Sequence, residues 1–304
     1  MKFLFFFLDG IGLGPDDPHS NPIAATDMPT LQELLNGHKL VEGVPPLDCD
    51  RATLLALDAC MGVEGRPQSA SGQAALLTGI NVPAELGYHY GPKPNKEIAK
   101  TIKNGNLFSH IKSKGLRADL LNSFPPRYFE GLNSGRRLAG AIAQAVLDSG
   151  GQLRTKDDLF NGRALSADFT GLGWREHLGY PQTPVISPYE AGHRIAKLAE
   201  ELDFAMFEYW PSDFAGHHQD MTAARQLLID FDQVLAGILS HWDMENGLLL
   251  ITSDHGNMED ITTRRHTMND VPAVIIANPK IRHPFTQGLS QLSDIAPNIL
   301  ALYP

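Results

Sequence analysis

MKFLFFFLDG, residues 1–10, is the stretch that decides the fold class. Its six apolar residues, 3–8, follow one another without interruption and end at Asp9 and Gly10. A continuous apolar run of this length is typical of a strand that is buried on both faces of a parallel sheet, with a loop at its carboxyl end. We therefore predict that the chain begins with a central strand and that Asp9 lies at the edge of the sheet.

Two later segments repeat this pattern. DFAMFEYW at 203–210 is followed within three residues by Asp213, and GLLLIT at 247–252 is followed by Asp254 and His255. Because the carboxyl ends of parallel strands meet at one edge of a sheet, these polar side chains are expected to lie near Asp9.

Segments with helical spacing lie between the predicted strands. Their apolar residues recur every three or four positions, and they cover residues 29–36, 73–78, 107–114, 188–202 and 222–241. This alternation predicts an α/β fold, a doubly wound, mostly parallel sheet sandwiched by helices, in which ligands bind beyond the carboxyl ends of the strands.

The pattern changes after a further predicted strand at 116–124. Residues 125–187 are rich in glycine, proline and arginine and contain one clear helix, near 137–147. Such composition favours loops and turns over regular core elements. We predict a catalytic core made of 1–124 and 188–304, with 125–187 as a small inserted cap.

Composition excludes several classes of protein. The 304 residues carry a formal charge of -10 and no long basic run, which disfavours a nucleic-acid partner. The apolar run at the N-terminus is too short for a secretion signal or a membrane span. Only Cys49 and Cys60 are present, so a disulfide scaffold is not expected and a reducing, cytoplasmic location is.

Acidic and imidazole side chains collect at the predicted sheet edge. Asp and His four residues apart can turn toward one point when the segment opens a helix, and an adjacent Asp-His pair after a buried strand rarely serves the core. A single such residue is most often structural. The full set supplies enough oxygen and nitrogen ligands for two divalent ions, Zn or Mn, and comprises Asp9, Asp213, His217, Asp254, His255 and His266.

A nucleophile candidate precedes the helix predicted at 73–78. Residues 68–73 read QSASGQ, a loop that enters a short helix with serine at its start. Free backbone N–H groups and the helix dipole bind phosphate oxygens at such a place, and a metal ion activates a serine hydroxyl there. The alternative is an ordinary helix cap. Both Ser69 and Ser71 are candidates at this point.

These motifs resemble the alkaline phosphatase superfamily, in particular cofactor-independent phosphoglycerate mutase and phosphopentomutase. The resemblance rests on motifs that occur in the same order, Asp213-x-x-x-His217, Asp254-His255-Gly256-Asn257 and His266-Thr267-x-Asn269. Residues 69–79 are also similar to the sulfatase signature, in which the nucleophile stands ten residues before the final glycine. That offset selects Ser69. Gln73 replaces the arginine that sulfatases need, so sulfatase activity is disfavoured.

The resemblance implies a ligand set and a reaction. One ion would be held by Asp213, His217 and His266, and the other by Asp9, Ser69, Asp254 and His255. The implied activity is phosphoryl transfer through a phosphoserine, by a phosphatase or phosphomutase that acts on a small phosphorylated metabolite. A phosphodiesterase or phosphonate hydrolase with the same ions, and a non-catalytic metal-binding protein, remain as alternatives.

The chain departs from those mutases in its cap, which is much smaller than theirs and begins later. Their substrate-binding arginines match no position here, so glycolytic mutase activity is not expected. Arg127 is a candidate for substrate binding, since a guanidinium group pairs with carboxylate or phosphate. Lys93 and Tyr88 are candidates because they lie in the glycine-rich stretch after Thr78, where the rim of the site is expected. For Arg127, a solvated surface position is the competing interpretation.

Overall fold

A seven-stranded sheet forms the centre of the protein in a computed structural model that describes residues 1–304. The strands are β1 (Lys2–Leu8), β2 (Leu47–Asp48), β3 (Ala52–Leu57), β4 (Ala118–Leu120), β5 (Phe204–Tyr209), β6 (Gly247–Thr252) and β7 (Val271–Ile276). Their order across the sheet is β2-β3-β7-β6-β1-β5-β4. β4, β5, β1, β6 and β3 point the same way, whereas β2 and β7 run against them. The predicted mostly parallel sheet is confirmed.

Helices cover both faces of this sheet. They are α1 (Pro22–Ala25), α2 (Pro29–Leu34), α3 (Ser69–Thr78), α4 (Val82–Leu86), α5 (Lys96–Asn104), α6 (Leu107–Ser113), α7 (Pro126–Asn133), α8 (Ala141–Asp148), α9 (Lys156–Phe160), α10 (Leu172–Glu176), α11 (Pro188–Glu200), α12 (Pro211–His218), α13 (Met221–Leu239), α14 (Pro279–Thr286) and α15 (Ile295–Ala301). No helix combines the length and the apolar character needed to cross a membrane.

The first strand is buried on both faces, as its sequence predicts. β1 pairs in parallel with β5 on one side and with β6 on the other. Phe3, Phe5 and Phe7 enter one apolar cluster, while Leu4 and Phe6 enter a second cluster on the opposite face. Because side chains alternate across a strand, an uninterrupted apolar run is what such a double burial requires.

The strand expected at 116–124 is shorter than predicted. β4 ends at Leu120, and Asn122 and Ser123 leave the sheet to form isolated bridges with Leu165 and Arg154. The backbone N–H of Ser123 donates to the carbonyl of Leu165. Pairing with the segment beyond residue 125 therefore replaces pairing with the sheet.

The segment 125–187 contains α7 to α10 and is not uniform in its packing. α8 buries Ile142 and Val146 in the same apolar cluster as Leu76 of α3 and Ile98 of α5. α8 starts at residue 141, four positions later than the helix predicted near 137–147. Part of this segment therefore packs as a layer of the core, and the boundaries of the cap stay a prediction.

Candidate metal and phosphate site

Three neighbouring parallel strands deliver acidic residues to one edge of the sheet. Asp9 follows β1, Asp213 lies in the first turn of α12 directly after β5, and Asp254 follows β6. The hydroxyl of Ser212 donates to the carbonyl of Asp9 at 2.6 Å and ties the two loops together. Gly10 has a φ of +69, and a Cβ there would lie 2.7 Å from Oδ1 of Asp213. Glycine therefore permits the close approach of the first two carboxylates.

One group of ligand atoms is formed by Asp213, His217 and His266, which lie within 4.8 Å of one another. Nε2 of His217 is 3.3 Å from Oδ2 of Asp213, and Nε2 of His266 is 3.6 Å from Oδ1 of the same residue. Nδ1 of His217 contacts the carbonyl of Arg264 at 2.7 Å, and Nδ1 of His266 contacts that of Pro67 at 2.8 Å. A proton on Nδ1 satisfies each carbonyl, so both Nε2 lone pairs point toward the carboxylate.

A second group is centred on His255. Its Nε2 lies 3.1 Å from Oγ of Ser69, 3.4 Å from Oδ1 of Asp9 and 3.6 Å from Oδ2 of Asp254. Ligand atoms of Asp9, Asp213 and His255 also lie within 4.8 Å of one another, so Asp213 faces both groups. The structure thus brings together all seven side chains that the sequence proposed as ligands or nucleophile.

The electrostatics of the site favour bound cations. Burial raises the pKa of Asp9 well above its usual range, and the carboxylates of Asp254 and Asp213 raise it further. Burial also raises the pKa of Asp254 to about 8. No lysine or arginine pairs with any of these acids, and Oδ1 of Asp9 and Oδ1 of Asp254 have no hydrogen-bond partner. Buried carboxylates without a countercharge are costly, so this donor set fits divalent ions.

The histidines reinforce this conclusion. Burial lowers the pKa of His255 well below its usual value and lowers that of His266 as well. The two rings are stacked with their centroids 3.7 Å apart. Neutral imidazoles cannot compensate the acids, and neutral imidazole is the form that binds metals.

Ser69 and Ser71 have different surroundings. Ser69 is the first residue of α3, and its hydroxyl faces His255. The hydroxyl of Ser71 donates to the carbonyl of Gln68 at 3.2 Å and accepts from the backbone N–H of Tyr90 at 3.0 Å. Ser71 therefore stabilises the contact between Gln68 and Tyr90 through its hydrogen bonds, whereas Ser69 lies next to the candidate ligand His255.

α3 lies directly against the loop after β6. A Cβ at Gly72 would be 2.9 Å from the carbonyl oxygen of Asp254, so only glycine allows this approach. Nε2 of Gln73 donates to Oδ2 of Asp254 at 3.0 Å. The Gln73 amide thus orients the carboxylate of Asp254, a candidate ligand, from the position where the sulfatase signature has an arginine.

Sequence reasoning missed Glu259, which joins the loops that carry the ligands. Its fully buried carboxylate accepts from the backbone N–H groups of Gly12 at 3.0 Å and Asn257 at 2.7 Å. It also accepts from Nδ2 of Asn269 at 3.0 Å and from the hydroxyl of Thr267. The position of Glu259 four residues after His255 was the only feature of the sequence that could have drawn attention to it.

A cavity of about 430 Å³ opens beside Ser69. Its lining includes Asp9, Ser69 and Asp213, together with Lys93 and Arg127, which are both predicted to bind substrate. Residues of the 125–187 segment complete the enclosure, among them Tyr128, Arg137 and Trp174.

Tyr88 lies outside this cavity. It borders a separate shallow depression with Glu64 and Arg66, and its ring meets Tyr90 edge-on at 6.2 Å. The structure therefore separates Tyr88 from the other two substrate-binding candidates.

Comparisons with known proteins agree with the geometry. The family model described as Metalloenzyme superfamily matches residues 179–303, which include five of the candidate ligands. The 2,3-bisphosphoglycerate-independent phosphoglycerate mutase of Methylobacillus flagellatus is 30% identical over 132 residues, 40% of this chain and 25% of that protein. That of Roseobacter denitrificans is 33% identical over 115 residues, 36% of this chain and 22% of that protein. The matched segment thus spans about a quarter of these relatives.

Solved structures extend the likeness to the whole chain. The PH0037 protein from Pyrococcus horikoshii superimposes with a TM-score of 0.58 at 15% identity and covers 99% of this chain and 96% of its own. The alkaline phosphatase of the Antarctic bacterium TAB5 gives a TM-score of 0.55 at 12% identity and covers 99% and 97%. The fold is alkaline phosphatase-like. The resemblance to this superfamily and to cofactor-independent phosphoglycerate mutases is confirmed, whereas that to phosphopentomutase stays a prediction.

Proposed function

We propose that this protein transfers the phosphoryl group of a small phosphate monoester to Ser69 and then to water, with two divalent ions, Mn or Zn. The observation that carries the proposal is the Ser69 hydroxyl, which lies 3.1 Å from Nε2 of His255 and lines a cavity of about 430 Å³ together with Asp9 and Asp213. A serine among carboxylate and imidazole side chains at a helix N-terminus suits phosphoryl transfer, because bound ions and free backbone N–H groups can neutralise phosphoryl oxygens there.

The proposed ligand sets are those that the motifs imply. Asp213, His217 and His266 would hold one ion, and Asp9, Ser69, Asp254 and His255 the other. Bound ions would neutralise phosphoryl oxygens and favour the ionised Ser69 hydroxyl. The position of Asp213 between the two groups also suits it to face both ions.

The chain's own groups account for the remaining steps. The Ser69 hydroxyl gives up its proton to water, and its Oγ forms a bond to phosphorus while the bond from phosphorus to the alcohol oxygen of the substrate breaks. The leaving alcohol oxygen takes up a proton from water. The backbone N–H groups of Ser69 and Ala70, which make no hydrogen bond at the start of α3, would bind phosphoryl oxygens. Water then attacks the phosphoserine, releases phosphate and returns the proton to Ser69.

A mutase is the second candidate, and the relatives favour it. The matched proteins bear the name phosphoglycerate mutase and are about 30% identical over the segment that carries five of the candidate ligands. In a mutase the cavity would retain the dephosphorylated product, and a second hydroxyl of that product would take the phosphoryl group from Ser69.

The test is turnover by metal-stripped protein that is reloaded with Mn or Zn. We expect release of phosphate from an aryl phosphate, and from some sugar phosphates, only in the presence of metal. Ser69→Ala should keep the metal but form no acid-stable phosphoprotein, whereas Ser71→Ala should still form one. Phosphoprotein formation without phosphate release would select the mutase, and absence of both from a metal-loaded protein would contradict the proposal.

Other properties remain proposals on the same basis. The acidic net charge of -10 supports a small phosphorylated substrate over nucleic acid. The cytoplasmic location expected from the two cysteines stays a prediction.

A further inference from the structure

Glu208 occupies a strand position where an apolar residue is expected. Alternate residues of β5, Phe204 and Met206, enter the same apolar cluster as Phe7 of β1. Glu208 is the next residue on this face and pairs in register with Phe7. Its side chain lines the 430 Å³ cavity together with Ser69. A carboxyl that continues an apolar face is costly to bury, which suggests a purpose other than packing.

The carboxylate of Glu208 has no partner within the protein. It takes part in no hydrogen bond or ion pair, although its backbone N–H and carbonyl both pair with the side chain of Asn122 at 2.8 Å. These two bonds hold the strand end in place. The backbone of Glu208 is therefore fixed by hydrogen bonds, while its carboxylate lines the cavity and is available to a ligand.

The charged groups around Glu208 limit which chemical groups of a ligand can bind beside it. The ammonium group of Lys93 lies close enough to lower its pKa, while burial raises that pKa to about 7. The charge of Glu208 in turn raises the pKa of the Tyr128 hydroxyl, after the larger effect of burial, and that of Asp9. Glu208, Lys93 and Tyr128 all line the cavity that also contains Ser69 and Asp9, so a ligand in this cavity can reach both the carboxylate and the ammonium group.

Anionic, cationic and hydroxyl groups of a ligand would interact differently with Glu208 and Lys93. A second anionic group would be repelled by Glu208, and an ammonium group would be repelled by Lys93. A hydroxyl group can donate to the carboxylate and accept from the ammonium, so both partners are satisfied at once.

We propose that Glu208 is a specificity-determining residue that binds a hydroxyl group of the substrate's alcohol portion, so that phosphate monoesters of polyols are preferred to simple alkyl phosphates. This inference rests on the proposed function, because it takes the phosphoryl group to lie at Ser69. A cavity of 430 Å³ is within the range of small-metabolite sites.

The test compares ligands that differ by hydroxyl groups only. Calorimetry would measure the binding of inorganic phosphate, glycerol 1-phosphate and n-propyl phosphate to metal-loaded Ser69→Ala protein, in which no turnover occurs. We expect glycerol 1-phosphate to bind about tenfold or more tightly than n-propyl phosphate, the size typical of a hydrogen bond to a charged group. Glu208→Leu should reduce this preference to about twofold or less without changing the affinity for inorganic phosphate, because it leaves the ligand cluster intact.

Two further variants keep the test decisive. Glu208→Gln retains the shape of the side chain and should show a smaller preference for glycerol 1-phosphate over n-propyl phosphate than the wild type. This variant keeps the test valid if Glu208→Leu folds poorly. Glu130→Gln, a change on the exposed side of α7 and outside the cavity, should leave the preference unchanged.

The outcomes separate the two proposals. An undiminished preference in both Glu208 variants, with normal phosphate binding, would overturn the role of Glu208 and leave the proposed function standing. Failure of every metal-loaded protein to bind inorganic phosphate would refute the proposed function and the role of Glu208 with it.

Discussion

The removal of the Glu259 carboxylate should destabilise the fold and loosen the metal site together. In Glu259→Ala the backbone N–H groups of Gly12 and Asn257 lose their acceptor in a fully buried place. Each unsatisfied buried donor costs about 1–3 kcal/mol, so the two together cost about 2–6 kcal/mol. The side-chain donors of Thr267 and Asn269 lose an acceptor as well.

The conservative variant Glu259→Gln should cost much less. Its amide oxygen can accept from the two backbone donors, which cannot turn away. The Thr267 hydroxyl can rotate and the Asn269 amide can turn over, so that both accept from the new amide group. We expect the free energy of unfolding to fall by about 1–2 kcal/mol, because hydrogen bonds to a neutral amide are weaker than those to a carboxylate.

Urea unfolding of the metal-free proteins measures these differences without the contribution of bound ions. The order of midpoints should be wild type, then Gln, then Ala, with Glu130→Ala close to wild type. Metal affinity should fall in the same order, because Asn257 and Thr267 directly follow ligand segments. A midpoint of Glu259→Ala equal to that of Glu130→Ala would refute the reasoning, since it would mean that these donors find other acceptors.

Three further predictions concern the site itself. Gly72→Ala should lower activity and metal affinity, because its Cβ would lie 2.9 Å from the carbonyl oxygen of Asp254 and must push α3 away. Glu130→Ala, at an exposed helical position outside the cavity, is the control. Addition of Mn or Zn at about 100 times its Kd should stabilise the metal-free protein by about 2.7 kcal/mol per site, as seen by thermal unfolding, and His255→Ala should lack much of this gain. The pKa of Glu208 is raised from its ordinary value of 4.5 to about 7, so the folded state holds this proton more tightly and stability is lost as the pH rises through this window. Glu208→Gln should therefore gain in urea midpoint relative to wild type from about pH 5 to about pH 8 with chelator present, and a constant difference would contradict this assignment.

Elements with uninterrupted or strictly periodic apolar residues were predicted well. The double burial of β1 and the helix of α13 follow from local pattern, because one strand or helix face decides which residues leave water. The strand β3 was not predicted: its pairing with β7 depends on a partner more than 200 residues away. Likewise α3 begins at Ser69, four residues before the predicted start, where its N-terminus meets the loop of Asp254.

The sequence by itself determined the fold class and the set of candidate ligands. In parallel α/β proteins the binding residues follow the carboxyl ends of the strands, and both the strands and the short motifs after them can be recognised locally. Only the tertiary structure decided which residues that are far apart in the sequence lie together at the site. It separated Ser69 from Ser71 by their hydrogen bonds, excluded Tyr88 from the cavity, and brought Glu259 and Glu208 to the site. These contacts join residues up to about 250 positions apart, and no local pattern encodes them; only the packing of loops on the assembled sheet does.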